Sequence, residues 1–251
     1  MEKLKRLLLE WIKGTVGISN YLNQKGFQKD LLKKYVKSGW LESLGYGAYK
    51  LSGDEVDWQG AVYALQKQKN SFIHPGAKTA LAFKGYSHYL LQKSAGADLF
   101  GNPSDNLPKW FKDQPWMENI RFASTGMIDY NKVDAFTEVK VDSIPLKVSA
   151  PELAILEMLY LVPKHYTFDE ANLIMESLTT LRGKLVQQLL ENCSSIKVKR
   201  LFLYLAEKNR HSWFERLNLK KIDPGKGKRV IVKNGKLNKK YNITVPKEYE
   251  G

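Results

Sequence analysis

The chain has 251 residues, 43% hydrophobic and 12% aromatic, with a formal net charge of +14, enough apolar material for one large or two ordinary folded domains. A single cysteine, Cys193, excludes an intrachain disulfide and fits a reducing cytoplasm. The apolar runs Leu7–Leu9 and Leu153–Val162 are bounded or interrupted by Glu10 and Glu157; both are too short and too polar for a secretory leader or a membrane span, so a cytoplasmic protein without membrane contact is expected.

From Glu2 to Lys13 apolar residues stand at Leu4, Leu7, Leu8, Trp11 and Ile12, one face of a helix that Gly14 and Gly17 break. A second short helix is expected over Ile18–Gln24, ended by Gly26, and a third over Gln28–Lys37. Advancing 100° per residue along the third helix gathers Leu31, Leu32, Tyr35 and Val36 on one side. Lys29, Asp30, Lys33, Lys34 and Lys37 fall on the other. After Gly39 the period changes, and Trp40–Leu44 and Ala48–Leu51 read as two strands joined across Gly45–Gly47. Three short helices and a hairpin make the winged helix-turn-helix layout, whose third helix enters the DNA major groove. The expected DNA-binding core is residues 1–52. Lys29, Lys33, Lys34 and Lys37 would meet phosphates, Gln28 would read a base edge, and Tyr46 at the wing tip would reach the flanking backbone or minor groove.

The pattern continues with a helix over Asp57–Lys69, a strand and turn over Ser71–Gly76, a helix over Ala77–Phe83 and a strand over Tyr86–Gln92. Small residues at Ser94–Ala97 suggest a boundary between 94 and 95. Beyond it come strands around Leu99 and over Ile120–Ala123, Phe136–Val141 and Ile144–Val148, then an apolar helix opened by Pro151 and running to Leu161. Helices are expected at about 167–178, 182–192 and 195–208, and Arg229–Val232 with Tyr241–Val245 read as a hairpin around Asn234-Gly235. The fold class is therefore α+β, an N-terminal winged helix-turn-helix followed by a mixed C-terminal domain with a helical second half.

Charge is uneven. Residues 1–50 carry 10 Lys+Arg against 4 acids, residues 51–194 carry 14 against 17, and residues 195–251 carry 16 against 5. Two basic ends flanking a near-neutral middle point to polyanion contact at both ends.

Several segments together resemble the AbiEi-type antitoxins of type IV, abortive-infection E toxin–antitoxin systems. They are SGWLESLGYGAYKLS at 38–52, HPGAKTALAFKGYSHYL at 74–90, VSAPELAILEMLYLVP at 148–163, VKRLFLYLAEKNRHSW at 198–213 and IDPGKGKRVIVKNGKLNKKYNITVP at 222–246. The resemblance spans nearly the whole chain. It implies an N-terminal DNA-binding domain, residues 1–94, that represses the protein's own promoter at inverted repeats. It implies a C-terminal antitoxin domain, residues 95–251, that counters a nucleotidyltransferase-like toxin without a stable complex. In that domain Lys197, Lys199 and Arg200 are expected to line up with Arg210 and Arg216 as exposed charges. Lys226, Lys228, Arg229 and Lys233 flank the turn DPGKGKR, which can present cations and N–H groups to phosphate although it lacks the spacing of a Walker loop.

Other chemistry has weaker support. Glu138 and Lys140, two apart on a strand, share a face, and with Asp129 or Asp134 they are the alternative, a Mg-dependent nuclease. A module that sequesters a toxin directly is a third reading. His74, His88, His165 and His211 are scattered, and none pairs with Cys193 at zinc-ligand spacing. His74 and His88 are expected to be structural partners and Cys193 a core residue. No metal, no cofactor and no enzymatic activity are expected.

Overall fold

A computed structural model describes residues 2–86 and 96–249. The strand expected over 86–92 leaves the described residues after Tyr86, and His88 and the 94/95 boundary lie outside them.

Helix α1 (Glu2–Glu10) stops before Lys13. Trp11 instead lays its indole against Gly17, where a Cβ would come within 2.3 Å of the ring. This contact straightens the next residues: Gly17–Ile18 form strand β1, so Ile18 precedes the second helix rather than opening it. Helices α2 (Ser19–Gln24) and α3 (Lys29–Lys37) follow, then the hairpin β2 (Leu41–Gly45) and β3 (Ala48–Leu51). β1 pairs antiparallel with the far side of β3, Gly17 opposite Tyr49 and Ile18 opposite Ala48, giving the order β1-β3-β2. A small core of Leu7, Leu22, Phe27, Leu32 and Leu41 closes this unit, with Trp11, Tyr21, Leu31, Tyr35 and Val36 packed around it.

Helix α4 (Trp58–Lys69) is capped by the Asp57 carboxylate, which accepts from Trp58 N at 2.7 Å. Strand β4 (His74–Pro75) and helix α5 (Ala77–Phe83) lead towards β5 (Ala97–Gly101), the short helix α6 (Lys109–Lys112), a 3-10 turn at Pro115–Asn119 and β6 (Ile120–Ser124). These strands make one sheet in the order β4-β5-β6, with β5 and β6 parallel. Strands β7 (Phe136–Val141) and β8 (Ile144–Ser149) form a separate antiparallel pair. Helices α7 (Pro151–Leu161), α8 (Phe168–Ser177), α9 (Gly183–Asn192) and α10 (Ile196–Lys208) complete the helical second half. The larger core runs from Ile18, Ala48 and Trp58 through α7 and α10 to Val245, so the tip end of the wing's β3, α4 and the C-terminal half share one apolar interior.

Helix α7 is buried on every side from Glu152 to Leu159, which is why its sequence shows no polar face. Its two glutamates are satisfied internally. Glu152 takes Arg182 through Nε and Nη2, both at 2.9 Å. Glu157 accepts from Ala77 N at 3.0 Å and Ser149 Oγ at 2.8 Å, and its other oxygen lies 2.8 Å from His74 Nε2. Further along, Thr167 and Glu170 form a reciprocal capping box at the start of α8.

The tail differs from expectation. Residues 229–232 and 241–245 lie side by side but do not form a hairpin: β9 (Arg229–Val230) runs parallel to β11 (Ile243–Val245). The antiparallel partner of β11 is β10 (Lys236–Asn238). The hairpin turn is set by Asn238, whose Oδ1 accepts from Tyr241 N at 2.8 Å, and by Asn242 at φ 52°. Asn234-Gly235 only redirects the chain from β9 into β10. Gly235 is required there, since a Cβ would lie 2.2 Å from Val245 O.

Leu32 is wholly buried in the small core. Leu32→Ala is expected to destabilise the protein by about 3 kcal/mol, measured as a lower denaturant midpoint; an unchanged midpoint would mean that this core contributes nothing to stability.

Candidate nucleic-acid interface

The rotation of α3 follows from its packing. With Leu32 sealed inside and Leu31, Tyr35 and Val36 half-buried, Lys29, Lys33, Lys34 and Lys37 stand exposed. Asp30 is exposed too and lies 3.5 Å from Lys33 Nζ; with side chains 90% and 75% exposed, that pair is worth little. Gln28 is the N-cap residue, exposed, and its side chain makes no capping bond while its carbonyl accepts from Leu32 N. Ser38 Oγ closes the other end by donating to Lys34 O at 2.9 Å. Tyr46 at the wing tip is 95% exposed.

The wing is held at both ends. At its base the Glu42 carboxylate accepts from Gly53 N at 2.8 Å, Lys50 Nζ at 3.0 Å and Ser52 Oγ at 2.9 Å. The Gly53 amide first, then Lys50 and Ser52, hold that carboxyl down to about 2. Near the tip Gln114 Nε2 donates to Leu44 O at 2.9 Å, and Trp110 sits against Gly45. This contact with α6 has no sequence signal: KWFK is too short to show a period, and no helix is expected there.

The C-terminal basic residues divide, and three depart from expectation. Lys197, Lys199 and Arg200 are not exposed charges. Lys197 donates to the carbonyls of Tyr160 and Val162, both at 2.6 Å, capping the end of α7, and burial pulls its ammonium below the usual lysine range. Lys199 and Arg200 are buried. Lys199 Nζ donates to Asp223 O at 3.1 Å. Arg200 spreads its guanidinium over the carbonyls of Pro224, Gly225, Gly227 and Asn242, at 2.5 to 3.1 Å. The reason is stoichiometric: α10 is buried along most of its length, and the folded-back turn 223–227 offers carbonyls that only donors can satisfy. Arg210, Arg216, Lys226, Lys228 and Lys233 are exposed, and Arg229 is half-buried.

The alternative constellation does not assemble as expected. Glu138 and Lys140 are both exposed on β7. Asp134 and Glu138 line a cleft of about 530 Å³ with Phe72, Phe136 and Lys147, but Lys140 does not. Asp129 is held in its own turn, accepting from Asn131 N at 3.1 Å and pairing with Lys132 at 3.5 Å. Among the described residues no three His, Cys, Asp or Glu side chains converge as metal ligands would. His74 is buried between Phe72 O and Glu157, His211 is buried with Nε2 2.8 Å from Met175 O, and His165 is exposed. Cys193 is buried, which pushes its thiol up to about 11.

A family model described as "Transcriptional regulator, AbiEi antitoxin N-terminal domain" matches residues 1–92. A second, "Transcriptional regulator, AbiEi antitoxin, Type IV TA system", matches residues 94–246. No curated protein matches the sequence. The fold is similar to the crystal structure of the RV2827C protein from Mycobacterium tuberculosis, with a TM-score of 0.64 at 12% identity over 96% of this chain and 89% of that one. Among the described residues no helix is long and apolar enough to cross a membrane.

Arg200→Ala is expected to cost about 3 kcal/mol, because the carbonyls of Pro224, Gly225 and Gly227 lose this donor at once, while Asn242 O keeps the Arg229 amide. Arg200→Lys should recover only part of it, since an ammonium cannot reproduce the planar fork. Chemical denaturation measures both, and an alanine variant as stable as the parent would show the clamp to be energetically idle.

Proposed function

The chain belongs to the AbiEi antitoxin family, transcriptional regulators of type IV toxin–antitoxin systems, and from that premise we propose that it represses its own promoter by laying α3 in the major groove of operator DNA at inverted repeats. Lys29, Lys33, Lys34 and Lys37 contact phosphates, Gln28 reads a base edge, and Tyr46 meets the flanking backbone or minor groove. The single observation behind this reading is the outward lysine face of α3 beside an exposed wing. One amide among four lysines gives affinity and salt dependence more than base discrimination. We assign residues 1–94 to DNA binding, with 1–52 as the core, and 95–251 to antitoxin action; the two matched segments, 1–92 and 94–246, support that division. The protein works by binding, not catalysis, and needs no cofactor. The C-terminal domain counters a nucleotidyltransferase-like toxin without forming a stable complex with it. Arg210, Arg229, Lys226, Lys228 and Lys233 are the cations it offers to a partner.

Lys29→Ala/Lys33→Ala/Lys37→Ala is expected to weaken binding to the upstream intergenic DNA more than tenfold. It should also flatten the slope of log affinity against log salt by about 2.7, if each lysine touches one phosphate. Gln28→Ala should instead leave the slope alone and narrow the gap between operator and unrelated duplex by about 1–3 kcal/mol. Fluorescence anisotropy across a salt series reads both. A triple variant that binds like the parent, with the same slope, would remove α3 from the interface.

A second measurement addresses the toxin. Antitoxin and toxin mixed at micromolar concentration should elute separately in size-exclusion chromatography while co-expression restores growth; a stoichiometric co-eluting peak would show sequestration instead.

A further inference from the structure

The groove beside α3 is not walled by the winged unit alone. A cleft of about 730 Å³ lies between α3 and the wing, lined by Lys29 and Lys33 from the helix and by Ser43, Gly45 and Tyr46 from the hairpin. Two other elements complete its lining, Lys69 at the end of α4 and Pro108 with Trp110 at α6. No acidic side chain is among its lining residues, which include the hydroxyl and amide groups of Ser19, Asn20 and Ser43. Lys109 does not itself line the cleft, but its chain neighbours Pro108 and Trp110 do, and it is exposed, as is Lys69. Among the described residues neither forms an ion pair.

This wall is fixed in place. Gly45 lies at φ +133°, at the point where the β2–β3 register shifts, and a Cβ there would come 3.1 Å from Trp110 Cβ and 3.3 Å from its Cα. Gln114 Nε2 bridges Leu44 O at 2.9 Å and Trp110 O at 3.1 Å. Trp110 itself is 5% exposed and belongs to the larger core. The wing therefore keeps its distance from α3, and the groove its width, because Trp110 and Gln114, outside the winged unit, hold the hairpin.

We propose that this groove takes one sugar–phosphate strand of the bound duplex, with Lys69 inside it and Lys109, the exposed neighbour of two lining residues, as phosphate contacts outside the winged helix. The inference rests on the reading that α3 enters DNA. The ligand class follows from the lining: cations, hydroxyl and amide donors and no carboxylate suit a polyanionic backbone. The open groove suits a strand passing through better than an enclosed small molecule.

The test is Lys69→Ala/Lys109→Ala in the full chain. Both side chains are exposed, so circular dichroism and the denaturant midpoint should match the parent. Binding to the upstream DNA is then followed by anisotropy across a salt series. The slope of log affinity against log salt should fall by about 1.8, two phosphate contacts' worth, and equally for operator and unrelated duplex, because phosphates carry no sequence information. An unchanged slope overturns the proposal. The Lys29/Lys33/Lys37 variant in the same series separates the two failures. If that variant loses binding while the Lys69/Lys109 variant keeps the parental slope, only the groove assignment fails. If it too binds like the parent, the reading of α3 fails first.

Discussion

One contact, Leu32 in the small N-terminal core, fixes what the molecule presents to its surroundings. Burying that side chain with its half-buried neighbours outweighs every competing local preference of α3. Lys29, Lys33 and Lys37 repeat at i, i+4 and i+8, where like charges cost a few tenths of a kcal/mol per pair. Lys29 also stands in the first turn, where the helix dipole disfavours a cation. Apolar burial is worth several times these penalties, so the helix cannot rotate to relieve them. The repulsion remains at the surface until an anion neutralises it. A local rule broken in this way, without gain to stability, is what the proposed DNA contact would require of this face.

That surface is useful only if the wing beside it holds still, and the larger core provides for this. Ile18 and its partner Ala48, at the tip end of β3, share an interior with Trp58 of α4 and the helices beyond. Glu157 gathers three elements onto one carboxylate: the start of α5 at Ala77, the end of β8 at Ser149 and the ring of His74 in β4. A buried carboxylate is costly unless its lone pairs are filled, and here each oxygen has a partner. Gly76 lets it approach, since a Cβ there would lie 2.2 Å from Oε2. The two halves of the chain are thus joined through apolar packing and through polar groups that tolerate no slack.

Much of this was legible in the residues. The 3.6-residue period of 28–37 located both faces of α3, because a single apolar stripe admits one rotation. The bounds of α7 were readable from Pro151 and a run of apolar residues, and β7 and β8 from period-two alternation. What was not legible depended on contacts distant in sequence. Nothing near Ile18 announces that Trp11 will press on Gly17 and extend the chain there. Asn234-Gly235 carries the stronger hairpin signature, yet Asn238 makes the turn, because β11 must pair on both edges and only β10 can fold back onto it. Helix α6 is a single turn held by the core around Trp110 and Phe111, and its hold on the wing is a tertiary fact. The 94/95 boundary rested on small residues alone.

The two basic ends of the chain, similar in composition, use their charge differently. In α3 the lysines are expelled by apolar packing and face water. In the tail, Lys199 and Arg200 are drawn inwards because the turn at 223–227 folds its carbonyls towards α10, and cations with several donors satisfy them. Part of the C-terminal surplus is therefore structural, and net charge overstates the surface available to a partner. Yet the buried pair is not silent. Among the described residues neither Lys199 nor Arg200 forms an ion pair; carbonyls take their donors, and the Asp223 carboxylate opposes the Arg200 charge without pairing with it. Burial first, and then the nearby Arg229 charge, hold the Arg200 guanidinium below its usual range, so the clamp that shapes the loop also adds to the positive field around it.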